Sequence, residues 1–155
     1  MANNIDARLS ELGITIPDAP APAANYVPFT ISGNLVFVAG QVPFVDGKLT
    51  ATGRIGEDAS VEDGYEQARI CAINLIAQVK MACGGDLDRV RRVVKLGGFV
   101  ASAPDFTGQP GVVNGASNLM VEVFGDAGKH SRFAVGANAL PLGCLVEVDG
   151  IFEID

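Results

Sequence analysis

Residues 131–154 constrain the fold more than any other stretch. Apolar side chains dominate the run Arg132-Phe133-Ala134-Val135, Leu140-Pro141-Leu142-Gly143 breaks the pattern, and alternation resumes through Val146-Glu147-Val148 to Ile154. Alternation on both sides of a Pro-Gly interruption predicts two half-buried strands joined by a short connection. A sheet alone does not account for a guanidinium inside the first strand or a carboxylate inside the second. Charged side chains are rarely buried without a partner, so Arg132 and Glu147 are the first site candidates. An ion pair between subunits, from Arg132 to Glu147 or Asp149, would also explain them.

The other elements follow from spacing. Val61, Tyr65, Ala68, Ala72, Leu75, Val79 and Ala82 recur three and four apart. They predict a helix over 61–83, capped by Ser60 and stopped at Gly84-Gly85. Pro110 suits the first position of a second helix through Phe124, with Val113, Ala116 and Met120 on its buried stripe. Asn114 and Asn118 share another face of it. Strands are expected over 26–32 and 35–39 across Gly33-Asn34, and over 90–102, where Gly97-Gly98 suggests a bulge or a close backbone approach. A short leader helix over 3–13, a proline-rich connector, and a loop or small hairpin over 44–56 complete the reading. The fold class is α+β: β-β-α-β-α-β-β in one mixed or antiparallel sheet, two helices on one face. Residues 1–23 form an extension, and 24–155 a single domain.

The 155 residues are 48% hydrophobic and only 19% charged, a rich mixture that predicts an oligomer covering apolar surface. The net charge of −7 disfavours nucleic acid as a partner. The one dense basic group, Arg89, Arg91, Arg92 and Lys95, reads as a solvated strand edge. Cys71, Cys83 and Cys144 are widely spaced and read as reduced core thiols. The opening residues lack the basic start and apolar core of a signal peptide, and no apolar run reaches the ~20 residues of a membrane span. A cytoplasmic location without membrane attachment is expected. Phosphate-binding glycine loops and the G-x-S-x-G elbow are missing. His130, the single histidine, cannot form a two-histidine metal site. It is either a loop histidine near a helix end or a catalytic base, and no cofactor or metal is expected.

Four fragments in register resemble the RidA/YjgF family, also known as the endoribonuclease L-PSP family. They are Arg132 followed eight residues later by Leu140-Pro141, then Val146-Glu147-Val148; Tyr26 fourteen residues before Gly40-Gln41; and Asn118 six residues before Phe124. The resemblance covers about 24–154. It implies a chorismate-mutase-like fold, a homotrimer with sites in the clefts between subunits, and hydrolysis of enamines or imines of amino acids to 2-oxo acids and ammonia. By that resemblance Arg132 clamps a substrate carboxylate, which its planar fork suits. Glu147 positions or deprotonates the attacking water. Tyr26 closes the cleft, and Asn118, Gly40, Gln41 and Ala134 line it. Small carboxylate metabolites are the implied partners.

Two positions depart from the family pattern. Its usual serine before Gly-Gln is Ala39, and its usual cysteine two residues after the arginine is Ala134. These changes leave open a trimeric carboxylate-binding or regulatory module without turnover. The family's older name adds endoribonuclease activity as a further alternative.

Overall fold

A computed structural model describes residues 4–19, 21–22 and 24–155. Asn3, the expected start of the leader helix, and Pro20 and Ala23 of the connector lie outside the described residues. Helix α1 (Ile5–Glu11) is capped by Asn4, whose side chain accepts from the Ala7 amide. Its Ile5 and Leu9 are buried in the same core as the rest of the chain. Ile5 N donates to Asp88 at 2.8 Å, and Arg8 Nε donates to the Glu122 carbonyl at 2.8 Å, so the leader helix is stitched to the domain.

Strands β1 (Phe29–Ser32) and β2 (Leu35–Gln41) form the expected hairpin across Gly33-Asn34. The first strand starts three residues later than expected. Tyr26 lies in a bend, and ladder pairing begins after Pro28, which has no N–H to give. A separate hairpin, β3 (Phe44–Val45) with β4 (Lys48–Leu49), fills the glycine-spotted loop. Helix α2 (Val61–Ala82) begins with a reciprocal capping box between Ser60 and Asp63. Then come β5 (Val90–Ala101), α3 (Gln109–Phe124), β6 (Ser131–Ala137) and β7 (Val146–Ile154).

The main sheet runs β1-β2-β7-β5-β6 and is mixed, since β5 and β6 are parallel while the other pairs are antiparallel. The two strands of residues 131–154 are therefore not neighbours, because β5 inserts between them. The basic group is not a simple edge either. From Lys95 onward β5 is paired on both sides, and only its first residues lack a β6 partner. Arg91 there, and Arg89 in the turn just before the strand, pair with Asp155. Gly97-Gly98 is a close approach rather than a bulge. A Cβ on Gly98 would lie 2.6 Å from Val113 of α3, whereas the register shifts fall between Val90 and Arg92 and between Val93 and Lys95.

Both long helices cover one face, α2 on β7 and β2, α3 on β5 and β6. Val36, Val93, Leu96, Val100, Val146, Val148 and Phe152 are fully buried beneath them. Each such side chain contributes roughly 1.5–3 kcal/mol of transfer free energy. The buried face of α2 is wider than its apolar stripe and includes Gln67, Asn74 and Gln78. Asn74 Nδ2 donates to the Val42 and Phe44 carbonyls, both at 3.1 Å, and so fastens β3 to the helix. That hydrogen bonding lets a polar amide stand in the core.

Candidate functional site

Arg132 projects from β6 toward the helices. Its register partner on β5 is Leu96, which is fully buried under them. Nη1 donates to Ser117 Oγ on α3 at 3.1 Å and Nη2 to the Pro110 carbonyl at 3.3 Å. A guanidinium has five N–H donors. The arginine is thus aimed by the start and the middle of α3 yet keeps donors for a ligand. Ser117 Oγ also lies 2.8 Å from His130 Nε2, and His130 Nδ1 lies 2.6 Å from the Gly128 carbonyl.

Glu147 points the other way. It stands opposite Phe99 on β5, on the sheet face that no helix covers. The same face carries Asp149, Ile151 and Glu153 of β7, Phe37 of β2, Lys95 of β5, and Phe133 and Val135 of β6. Glu147 forms no hydrogen bond or ion pair among the described residues, and it lies against Gly40, where a Cβ would collide with its carboxylate. Burial raises its pKa above the ordinary carboxylate range, and the charge of Asp149 adds to this. Asp149 is raised too, again chiefly by burial. A carboxylate shifted this way is a stronger base when ionised. Within one chain, then, Arg132 and Glu147 occupy opposite faces of the sheet and form no ion pair.

Tyr26, Gly40 and Gln41 do meet. With Ala39, Pro28 and Gln78 they line a small cavity of about 80 Å³ where the connector crosses the end of β2. Tyr26 is 52% exposed, as a cleft residue rather than a core residue would be. Ala39, in the place of a serine, adds no hydroxyl there. Ala134 faces the helices and packs partly against the core, two residues from Arg132. Asn118 is already engaged, since its Nδ2 donates to the Tyr65 hydroxyl at 3.0 Å and ties α3 to α2.

The sequence-predicted residues thus form three groups: Arg132 with Ala134 on the helix side, Glu147 with Gly40 on the open face, and Tyr26 with Gly40 and Gln41 at the cavity. Gly40 belongs to two of them. Sequence reasoning missed Ser117 and the hydrogen bonding of His130. The available signal was weak: a serine one position before Asn118 and a histidine two before Arg132. Burial pushes the Cys144 thiol up to about 11, with Glu147 contributing, and Cys71 is also raised, so neither offers a ready thiolate. Among the described residues no group of three metal-ligating side chains gathers, and no helix is long and apolar enough to cross a membrane.

Comparisons with known proteins establish the family and the fold. A family model described as "YjgF/chorismate mutase-like, putative endoribonuclease" matches residues 6–154. Protein TCP17 of Trypanosoma cruzi is 46% identical over 155 residues, 99% of this chain and 96% of that protein. The crystal structure of Atu1372 from Agrobacterium tumefaciens, of unknown function, superposes with a TM-score of 0.91 at 54% identity, covering 97% of this chain and 92% of that one. A protein from Shewanella oneidensis described as a putative endoribonuclease gives 0.94 at 36% identity, covering 98% and 100%. At the level of fold alone, E. coli TdcF with bound serine gives 0.62 at 21% identity, covering 88% and 94%.

Proposed function

Because the chain belongs to the YjgF/chorismate-mutase-like family, we propose that it is a homotrimeric hydrolase of small imines or enamines derived from amino acids, releasing 2-oxo acids and ammonia. The observation that carries this reading is the division of the candidate site. A donor-rich Arg132 lies at the helix-side edge of β6, and an unpaired, base-shifted Glu147 lies on the uncovered face. Neither is complete alone. In an assembly of three copies, Arg132 of one and Glu147 of another meet across a cleft.

The apolar residues beside Glu147 support such an assembly. Phe37, Phe99 and Val135 are 43%, 37% and 43% exposed on one sheet face, and Phe133 meets Phe99 edge-on with ring centres 5.3 Å apart. An aromatic pair together with further exposed apolar side chains on an uncovered face suits a subunit interface.

In the cleft, Arg132 binds the substrate carboxylate bidentately. Glu147 takes a proton from water as its oxygen adds to the imine carbon, giving a carbinolamine. Glu147 passes that proton to nitrogen and then takes the hydroxyl proton as the C–N bond breaks and the carbonyl forms, and ammonia and the 2-oxo acid leave. Orientation and one base suffice for so reactive a substrate. Tyr26, at the rim of the Gly40-Gln41 cavity, closes the site and donates to the substrate.

A second reading rests on Ala39 and Ala134: the chain binds small carboxylate metabolites in the cleft without turning them over. TdcF, of the same fold, was solved with bound serine. Endoribonuclease activity, named for the Shewanella protein, has the net charge of −7 against it.

The test couples the purified protein to an amino-acid oxidase that generates the imine. The proposal expects faster 2-oxo acid release than buffer alone, lost in Arg132→Ala. Equal rates for wild type and Arg132→Ala would eliminate it, and 2-oxo acid binding without turnover would select the second reading. RNA cleavage lost in Glu147→Ala would select the third.

A further inference from the structure

Ser117 on α3 and His130 in the turn before β6 form a polarised pair beside Arg132, and their partners dictate where the protons sit. The Gly128 carbonyl can only accept, so His130 Nδ1 carries the hydrogen in their 2.6 Å contact. In the neutral ring Nε2 then holds a lone pair, and the 2.8 Å contact runs from the Ser117 hydroxyl to Nε2. Arg132 Nη1 donates to the same oxygen from 3.1 Å. The hydroxyl therefore directs its proton at a base while a fixed cation sits against its oxygen. Ser117, His130 and Arg132 are all half-buried, which leaves them within reach of a small molecule. Anchoring Arg132 requires only an acceptor at Ser117. It does not require an imidazole fixed in one tautomer behind that acceptor.

A nucleophile within hydrogen-bond reach of a base, with a third group orienting the base, is the arrangement that activates serine. We propose that Ser117 is a nucleophile and His130 its general base, giving this chain a serine-dependent acyl-transfer activity on small esters whose acyl half carries a carboxylate for Arg132. Ser117 Oγ bonds to the acyl carbon as its proton moves to His130 Nε2. The bond to the leaving alcohol then breaks, and that alcohol's oxygen takes the proton. Water repeats the sequence on the acyl-serine, releasing the acid and restoring the hydroxyl. The remaining N–H groups of Arg132, beyond those on Ser117 and Pro110, are free to hold the substrate carboxylate. This activity does not depend on imine hydrolysis, which is measured separately on the same preparation.

The test uses mono-p-nitrophenyl succinate as the probe and neutral p-nitrophenyl acetate as the comparison. The expected result is a burst of p-nitrophenol, with a succinyl group mapped to Ser117 by mass spectrometry. Wild type should prefer the carboxylate ester by about tenfold or more, and Arg132→Ala should not. Ser117→Ala, a substitution favourable inside a helix, and His130→Gln should each lower the rate about 100-fold or more. His130→Gln keeps a hydrogen-bond acceptor but cannot take the proton, which separates a base from a tether; circular dichroism verifies that both variants fold. Absence of an acyl group on Ser117, wild-type rates in either variant, or equal rates on the two esters in wild type would overturn the inference.

Discussion

The two faces of the sheet are built from alternate residues of the same strands, yet only one is finished within the chain. On the helix side Val93, Leu96, Val146, Val148 and Phe152 are fully buried, and the intruding Asn74 amide is hydrogen-bonded to two carbonyls. On the other side Phe37, Phe99 and Val135 remain exposed, and Glu147 is half-buried without a partner. One face stores stability. The other holds what a single chain cannot satisfy, and it is there that the proposed assembly and chemistry concentrate.

The contrast can be broken most forcefully at its centre. Phe152→Ala on the covered face should cost about 3–5 kcal/mol in denaturant unfolding, the range for emptying a fully buried phenylalanine site. Phe133→Asp on the open face should leave the circular dichroism spectrum intact but shift the sedimenting species from three copies to one. If Phe133→Asp unfolded the chain, or left its mass unchanged, the open face would not be the interface proposed.

Glu147 sharpens the comparison through pH. Burial raises its pKa and that of Asp149, so the folded chain binds these protons more tightly than the unfolded chain. Their stabilising contribution is complete below the ordinary carboxylate pKa and is lost as pH rises through the raised values. Glu147→Gln should therefore raise the unfolding midpoint at neutral pH and flatten its fall over that interval, while removing imine hydrolysis. A smaller effect is expected at Gly40. There an added methyl would displace the Glu147 carboxylate, so Gly40→Ala should slow turnover by about tenfold, or ~1.4 kcal/mol, with little change in stability. An unchanged rate would mean that the carboxylate does not need its position over Gly40.

Local chemistry made much of this legible from the sequence. Ser60 announced the start of α2, Pro110 that of α3, and Gly33-Asn34 the first hairpin. Period-two alternation is enough to put Glu147, Asp149 and Glu153 on one face of β7. Long-range pairing was not legible. Nothing near Ala137 or Val146 reveals that β5 separates β6 from β7, because strand order is set by packing between distant segments. For the same reason Arg132 and Glu147 read as a pair in sequence but lie on opposite faces of one chain. The wide polar face of α2 escaped notice because Asn74 and Gln67 answer to the β3–β4 region rather than to helical period. Ser117 and His130 were hidden by their separation of thirteen positions and a turn of chain.

The central claim, that the site joins Arg132 of one copy to Glu147 of another, is tested most directly by mixing two dead variants. Arg132→Ala supplies Glu147, and Glu147→Gln supplies Arg132. Refolded together in equal amounts, they should form mixed trimers in which about a quarter of the clefts contain both groups, with imine hydrolysis returning to about that fraction of wild type. A mixture as inactive as its parents, with mixed trimers verified by native mass spectrometry, would contradict the account.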